Sequence, residues 1–89
     1  LNGTRVLRAE TIHAFAQRQP GCGTRALGWD TPSGRASGSA GVRISPRAFG
    51  HTGFTGTSLW MDPERGTWAV LLANRTYSSE RSGPIQALR

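Results

Sequence analysis

The sequence contains no lysine, and this absence excludes several kinds of site. All 11 basic residues are arginine, against five acidic residues, and the formal net charge is +6. A P-loop, a lysine Schiff base and a lysine general base therefore cannot be built from these 89 residues. The arginines are spread along the chain and no two are adjacent, so we do not expect nucleic acid to be the partner.

Cysteine and histidine are also scarce. Cys22 is the only cysteine, so the chain cannot form an internal disulfide. His13 and His51 lie far apart in the sequence, whereas a zinc site needs several thiolates or imidazoles at close spacing. No apolar run approaches the roughly 20 residues needed to cross a bilayer. We therefore expect no metal site, no cofactor and no membrane span in this segment.

The first half of the sequence predicts one short helix over about residues 8–18. Apolar residues recur there at helical spacing, and they would form a single stripe: Ala9, Ile12, Phe15 and Ala16. Pro20 and Gly21 end the helix, because proline cannot continue it and glycine tolerates a left-handed cap. Residues 34–41 are almost wholly Gly, Ser and Ala, which predicts an exposed, mobile loop.

The second half predicts three antiparallel strands within about residues 50–74. Residues 62–66 (DPERG) favour a turn between the last two strands, since aspartate begins turns, proline presets φ and glycine permits positive φ. Trp60 and Trp68 are expected to pack between the sheet and a helix. The last strand, over residues 67–73, is nearly all apolar, which is typical of a strand covered on both faces.

These elements indicate an α+β fold that this chain does not complete. It contains too few helices to cover both faces of the sheet, and a helix is expected only to start at residues 84–89. We therefore interpret residues 1–89 as the C-terminal segment of a single larger domain. The rest of that domain, upstream in the sequence, would be its main partner.

Residues 50–57 (GHTGFTGT) are the segment most suited to chemistry. They place three glycines inside a predicted strand, and glycines there mark the close approach of a ligand or of another backbone. His51 stands beside the Thr52 hydroxyl, and the glycines leave the backbone N–H groups accessible. On an edge strand, such donors can hold an oxyanion.

Residues 49–58 (FGHTGFTGTS), followed by 59–63 (LWMDP) and 71–75 (LLANR), resemble the serine β-lactamase and penicillin-binding-protein family. The resemblance is to the branch that holds class C β-lactamases, D-Ala-D-Ala carboxypeptidases and related esterases. It extends upstream to the helix and to residues 27–29 (LGW). It implies the β-lactamase/transpeptidase-like fold, a serine hydrolase activity through an acyl-enzyme, a small-molecule or peptide acyl substrate, and a periplasmic or secreted location.

The resemblance also implies roles for the residues of the third family motif, here His-Thr-Gly. His51 would be a catalytic residue acting as an electrostatic or proton-relay group. Thr52 would hydrogen-bond the substrate, often through its carboxylate. Gly53 would keep the strand clear of side chains, so that the substrate can lie antiparallel to it. The backbone N–H of Phe54 would form half of the oxyanion hole.

The other two family motifs are not found in this segment. Ser-x-x-Lys cannot occur without lysine, and Tyr77 begins a literal Tyr-x-Ser that follows the third motif, whereas the family's second motif precedes it. We therefore expect the complete protein to act on a β-lactam, a D-Ala-D-Ala peptide or an ester, and the 89 residues alone to be inactive. Two alternatives stay open: a non-catalytic module that binds a peptide or glycan along the same strand, and a basic nucleic-acid binder.

Overall fold

A three-stranded antiparallel sheet and one helix form the architecture of the computed structural model, which describes residues 1–77. The elements are α1 (Ala9–Ala16), β1 (Phe49–Thr52), β2 (Ser58–Asp62) and β3 (Thr67–Leu71). The strands pair in chain order, β1-β2-β3. This arrangement is consistent with part of the α+β fold expected from the sequence, whereas the helix expected to start at residues 84–89 lies outside the described residues.

The first strand is shorter than expected because a turn begins inside the glycine-rich segment. β1 ends at Thr52 rather than near Thr55. Gly53 N donates to Thr57 O at 2.8 Å, and Gly56 N donates to Gly53 O at 3.0 Å. Gly56 has a φ of +96°, a conformation that L side chains rarely adopt. The third glycine of the segment therefore closes a turn instead of extending the strand.

The turn between β2 and β3 lies where the sequence predicts it. β2 ends at Asp62, β3 begins at Thr67, and Gly66 between them has a φ of +62°. The register pairs Asp62 with Thr67 and Trp60 with Ala69. Aspartate, proline and glycine thus act at the positions where their local chemistry favours a hairpin.

Helix α1 lies within the expected range but buries none of its residues. Ile12 is 44% exposed and Phe15 is 48% exposed. All of the apolar stripe except Phe15 lines a groove of about 630 Å³ whose opposite wall includes Phe49 and Trp68 of the sheet. The sheet side of this groove is therefore accessible in the described part of the chain.

The expectation that both tryptophans pack between the sheet and a helix is wrong. Trp60 is buried and pairs with Ala69, whereas Trp68 pairs with Met61 and is 72% exposed. Because side chains alternate along a strand, these two pairs lie on opposite faces of the sheet. Trp60 instead lines a second cavity together with Ile44, which belongs to the segment before β1.

The small core is centred on β1 and β2. Trp60 lies against Gly50, where an added Cβ would stand 2.6 Å from the indole ring and 2.2 Å from Leu59 O. Trp29 packs edge-on against Phe49, with 5.5 Å between the ring centroids. The structure therefore explains why position 50 is a glycine: an aromatic ring lies too close for a side chain.

The glycine-, serine- and alanine-rich segment at residues 34–41 contains no helix or strand, as expected for a loop. It is only partly exposed, because residues 38–41 are half-buried. Gly38 is crowded, since an added Cβ would lie 2.3 Å from Ser33 Oγ. The expectation of an exposed loop therefore holds for residues 34–37 alone.

A buried carboxylate fixes the segment before β1 to the end of β2. Asp62 accepts hydrogen bonds from Ser45 Oγ at 2.6 Å, Ser45 N at 2.9 Å and Arg65 N at 3.3 Å. Arg65 Nε lies 3.7 Å from the same carboxylate. These partners, the Ser45 hydroxyl foremost, hold the pKa of the Asp62 carboxyl below its usual value.

Ser45→Ala is expected to make unfolding less sensitive to acid. A carboxyl whose pKa is lowered by folding stabilises the protein above its unfolded-state pKa, and this stabilisation is lost as the pH falls through the folded-state pKa. Without the Ser45 hydroxyl, the folded-state pKa of Asp62 lies closer to its unfolded-state value. The variant is therefore less stable than the unmodified protein near neutral pH, but its free energy of unfolding falls less on acidification. Denaturant unfolding of the full-length gene product at about pH 7 and about pH 3 tests this. Ser37→Ala in the exposed loop is the matched control. If Ser45→Ala lowered the free energy of unfolding by the same amount at both pH values, relative to the unmodified protein, the prediction would be contradicted.

Candidate active site

The outer side of β1 is occupied at one position and open beyond it. Asp30 N donates to Gly50 O at 2.7 Å, and Gly50 N donates to Asp30 O at 3.0 Å. Alternate residues of a strand direct their N–H and C=O groups to the same side, so those of Thr52 face the side that Asp30 occupies at Gly50. Within residues 1–77 this outer pairing stops at Gly50. The edge at which an extended substrate can align therefore begins at Thr52.

The first two residues of the motif differ in environment. The His51 side chain is exposed, and its Nε2 lies 3.0 Å from Nη1 of Arg25. The Thr52 side chain is half-buried. Because they are consecutive in β1, the two side chains point to opposite faces of the sheet. Thr52 and His51 would therefore reach a substrate at the strand edge from different sides.

Gly53 begins the turn that follows β1. A Cβ added there would lie 2.2 Å from Thr57 Oγ1, so any side chain at this position would displace Thr57. The resemblance explains the glycine by the space that a substrate needs. The structure adds an internal reason, the packing of the turn itself.

The orientation of the Phe54 N–H follows from the hydrogen bond on the other end of its peptide. Gly53 O accepts from Gly56 N at 3.0 Å, inside the turn. A trans peptide is planar and its N–H points opposite to its C=O. The Phe54 N–H is therefore directed away from the turn, as a donor to an external oxyanion must be.

Arg75 holds the next peptide in place. Its Nε donates to Phe54 O at 2.5 Å, and its backbone N donates to Thr55 O at 2.8 Å. Its guanidinium carbon lies 5.0 Å from the centroid of the Phe54 ring, within the range of a cation–π contact. Hydrogen bonds thus fix the peptides on both sides of Phe54.

Sequence reasoning did not single out Arg25 or Arg75 as site residues. Arg25 lies 26 residues before its partner His51, and Arg75 lies 21 residues after its partner Phe54. Arg75 belongs to the segment 71–75 that carries the family resemblance, which was the only available signal. Arg25 has no such signal, because it is one of many dispersed arginines.

Metal-ligand clusters and membrane-spanning helices are not found in the described part of the chain. No three His, Cys, Asp or Glu side chains of residues 1–77 are grouped so that they could hold a metal ion. The helix found in that range is too short to cross a bilayer. Cys22 is exposed and forms no disulfide.

Comparisons with known proteins identify the family. Proteins of Salmonella paratyphi B and Salmonella newport, each named "Putative D-alanyl-D-alanine carboxypeptidase", are 41% identical to this chain over 71 residues. The alignment covers 78% of this chain and 16% of each relative, so the chain spans about one sixth of their length. No solved structure matches it. The family model described as Beta-lactamase matches residues 1–88, and the chain therefore belongs to the beta-lactamase family.

Proposed function

We propose that this chain supplies the substrate-binding strand of a serine hydrolase that acts through an acyl-enzyme on a β-lactam, a D-Ala-D-Ala peptide or an ester. The observation that carries the proposal is the hydrogen bond from Gly56 N to Gly53 O, from which it follows that the Phe54 N–H at the end of the motif is directed away from the turn. Family membership and the names of the relatives support the hydrolase class. The chain would form the C-terminal part of one catalytic domain.

The reaction requires a nucleophilic serine from outside these 89 residues. Its oxygen would attack the acyl carbonyl carbon, and the carbonyl oxygen would take the negative charge. The Phe54 N–H would donate a hydrogen bond to that oxygen, and a second donor elsewhere in the domain would complete the hole. A base outside these 89 residues would take the serine proton and return it to the leaving group, whose loss gives the acyl-enzyme that water then hydrolyses.

Thr52 and Gly53 would align the substrate rather than break bonds, whereas His51 would act as an electrostatic or proton-relay group. The Thr52 hydroxyl would donate to a substrate carboxylate. Gly53, which bears no side chain, would let the substrate backbone approach the strand edge that begins at Thr52. Alignment of this kind lowers the barrier because the reacting groups are held in place before the reaction starts.

Acylation of the full-length gene product tests the proposal directly. We expect a fluorescent penicillin or a reactive ester to attach covalently to one serine of a Ser-x-x-Lys sequence, as located by peptide mass spectrometry. The 89-residue chain alone is expected not to react. Acylation of a serine within the 89 residues would contradict the expected inactivity of the segment.

The same experiment separates the hydrolase from a binding module. If the full-length product binds a D-Ala-D-Ala peptide but is not acylated by any of the three substrate classes, the hydrolase proposal is wrong. A non-catalytic module that adds a peptide strand to the edge of β1 would then explain the binding. If the product turns over one of the three substrate classes and not the other two, that class is the acyl donor.

A further inference from the structure

The contact between Arg25 and His51 determines which imidazole nitrogen carries the hydrogen. Nη1 of Arg25 lies 3.0 Å from Nε2 of His51, a hydrogen-bond distance. A guanidinium has only donors and stays protonated in proteins. Arg25 must therefore donate, and Nε2 must accept with its lone pair. The ring hydrogen of His51 then lies on Nδ1.

The backbone around Arg25 is fixed relative to β1, so the contact is part of the fold. Arg25 N donates to Cys22 O at 3.1 Å, and Arg25 O accepts from Gln19 N at 2.8 Å. Arg25 also forms an antiparallel bridge with Asp30, which in turn pairs with Gly50. Gly50 directly precedes His51. A short chain of backbone pairs thus connects the arginine to the strand that bears its partner.

We propose that Arg25 is a positioning residue of the site, which holds His51 as the Nδ1–H tautomer and supplies a permanent positive charge beside the third motif. The inference rests on the proposed function and deepens it. While Arg25 donates to Nε2, this nitrogen cannot accept a proton from a substrate or a nucleophile. A hydrogen on Nε2 would also point at the guanidinium. Of the two roles considered for His51, the geometry therefore favours the electrostatic one, with the charge residing on Arg25.

The Arg25 guanidinium lies on the face of the sheet that bears the His51 side chain, opposite the Thr52 side chain, and its charge favours substrates that carry a carboxylate at this edge of β1. The Thr52 hydroxyl supplies one hydrogen bond to such a group, and the positive charge attracts it from a distance. Both Arg25 and His51 are exposed, so solvent weakens the attraction. The chemical class favoured by this arrangement is an acyl compound with a free carboxylate near the scissile carbonyl.

Arg25→Ala in the full-length gene product is expected to lower kcat/KM about two- to fivefold for a carboxylate-bearing substrate, mainly through KM. When the carboxylate of that substrate is converted to an amide, Arg25→Ala should change kcat/KM less than twofold. Arg25→Lys, which keeps a charged donor, should recover part of the loss. Arg5→Ala removes the same charge from the exposed N-terminal segment and is the matched control. Equal losses for the carboxylate and amide substrates would overturn the inference while leaving the hydrolase function intact.

Nitrogen NMR of the histidine rings provides a readout that does not depend on activity. In the full-length product, the His51 signals, assigned by their loss in His51→Gln, should show a hydrogen on Nδ1 and none on Nε2. Arg25→Ala should shift the Nε2 signal, whereas Arg5→Ala should not. A hydrogen on Nε2 in the unmodified protein would overturn the inference. If the protein proves to be no hydrolase, the same Nδ1–H signature would still support the positioning contact.

Discussion

Replacing Phe54 with proline is expected to lower kcat of the full-length gene product about 100- to 1,000-fold, the usual effect of losing one oxyanion-hole donor. Proline has no backbone N–H, so the variant lacks the group that the proposed mechanism places on the oxyanion. In the native chain this N–H is directed outward, because Gly53 O is held by Gly56 N inside the turn. Single-turnover acylation measures the effect on the step in which the charge develops.

Phe54→Ala is the control for the side chain. The Phe54 ring is 79% exposed, and alanine keeps the backbone N–H, so we expect a loss of no more than about threefold. Unfolding midpoints of both variants show whether proline disturbs the turn. Should it do so, an amide-to-ester replacement at the Gly53–Phe54 peptide, made by ligation of synthetic residues, removes the N–H alone. Equal kcat losses in the alanine and proline variants would contradict the oxyanion role.

The sequence predicted the features whose causes are local. The turn between β2 and β3 depends on Asp62 and Gly66, whose own backbone preferences act at the position where they occur. The end of β1 was placed three residues too late. A run containing three glycines is compatible with both a strand and a turn. Only the hydrogen bond from Gly56 N to Gly53 O shows that the turn begins at Gly53.

Features that depend on register could not be read from composition. Trp60 and Trp68 are both apolar residues of adjacent strands, and their opposite faces follow only from pairing with Ala69 and Met61. The position of Arg25 beside His51 depends on successive backbone pairs that connect the segment of Arg25 to β1. Each pair brings together residues that are distant in sequence. Local propensities therefore cannot place an arginine beside His51.

Arg75→Ala is expected to lower kcat of the full-length gene product about 10- to 30-fold, because a hydrogen bond from a charged donor is lost. Arg75 Nε donates to Phe54 O at 2.5 Å, and the guanidinium lies over the Phe54 ring. Both contacts orient the residue whose N–H is proposed to bind the oxyanion, so the loss should appear in kcat rather than in KM. Arg75→Lys, which keeps the charge but has no planar guanidinium, should recover only part of it.

The double variant decides whether Arg75 acts through the Phe54 N–H. Phe54→Leu removes the ring beneath the guanidinium but keeps the N–H and the carbonyl, so it should cost less than Arg75→Ala. In the Phe54→Pro background the donor that Arg75 positions is absent, and Arg75→Ala should then have little further effect on kcat. If the two losses instead multiply, Arg75 contributes independently of the oxyanion hole. A lower unfolding midpoint with unchanged kcat would assign the residue to stability alone.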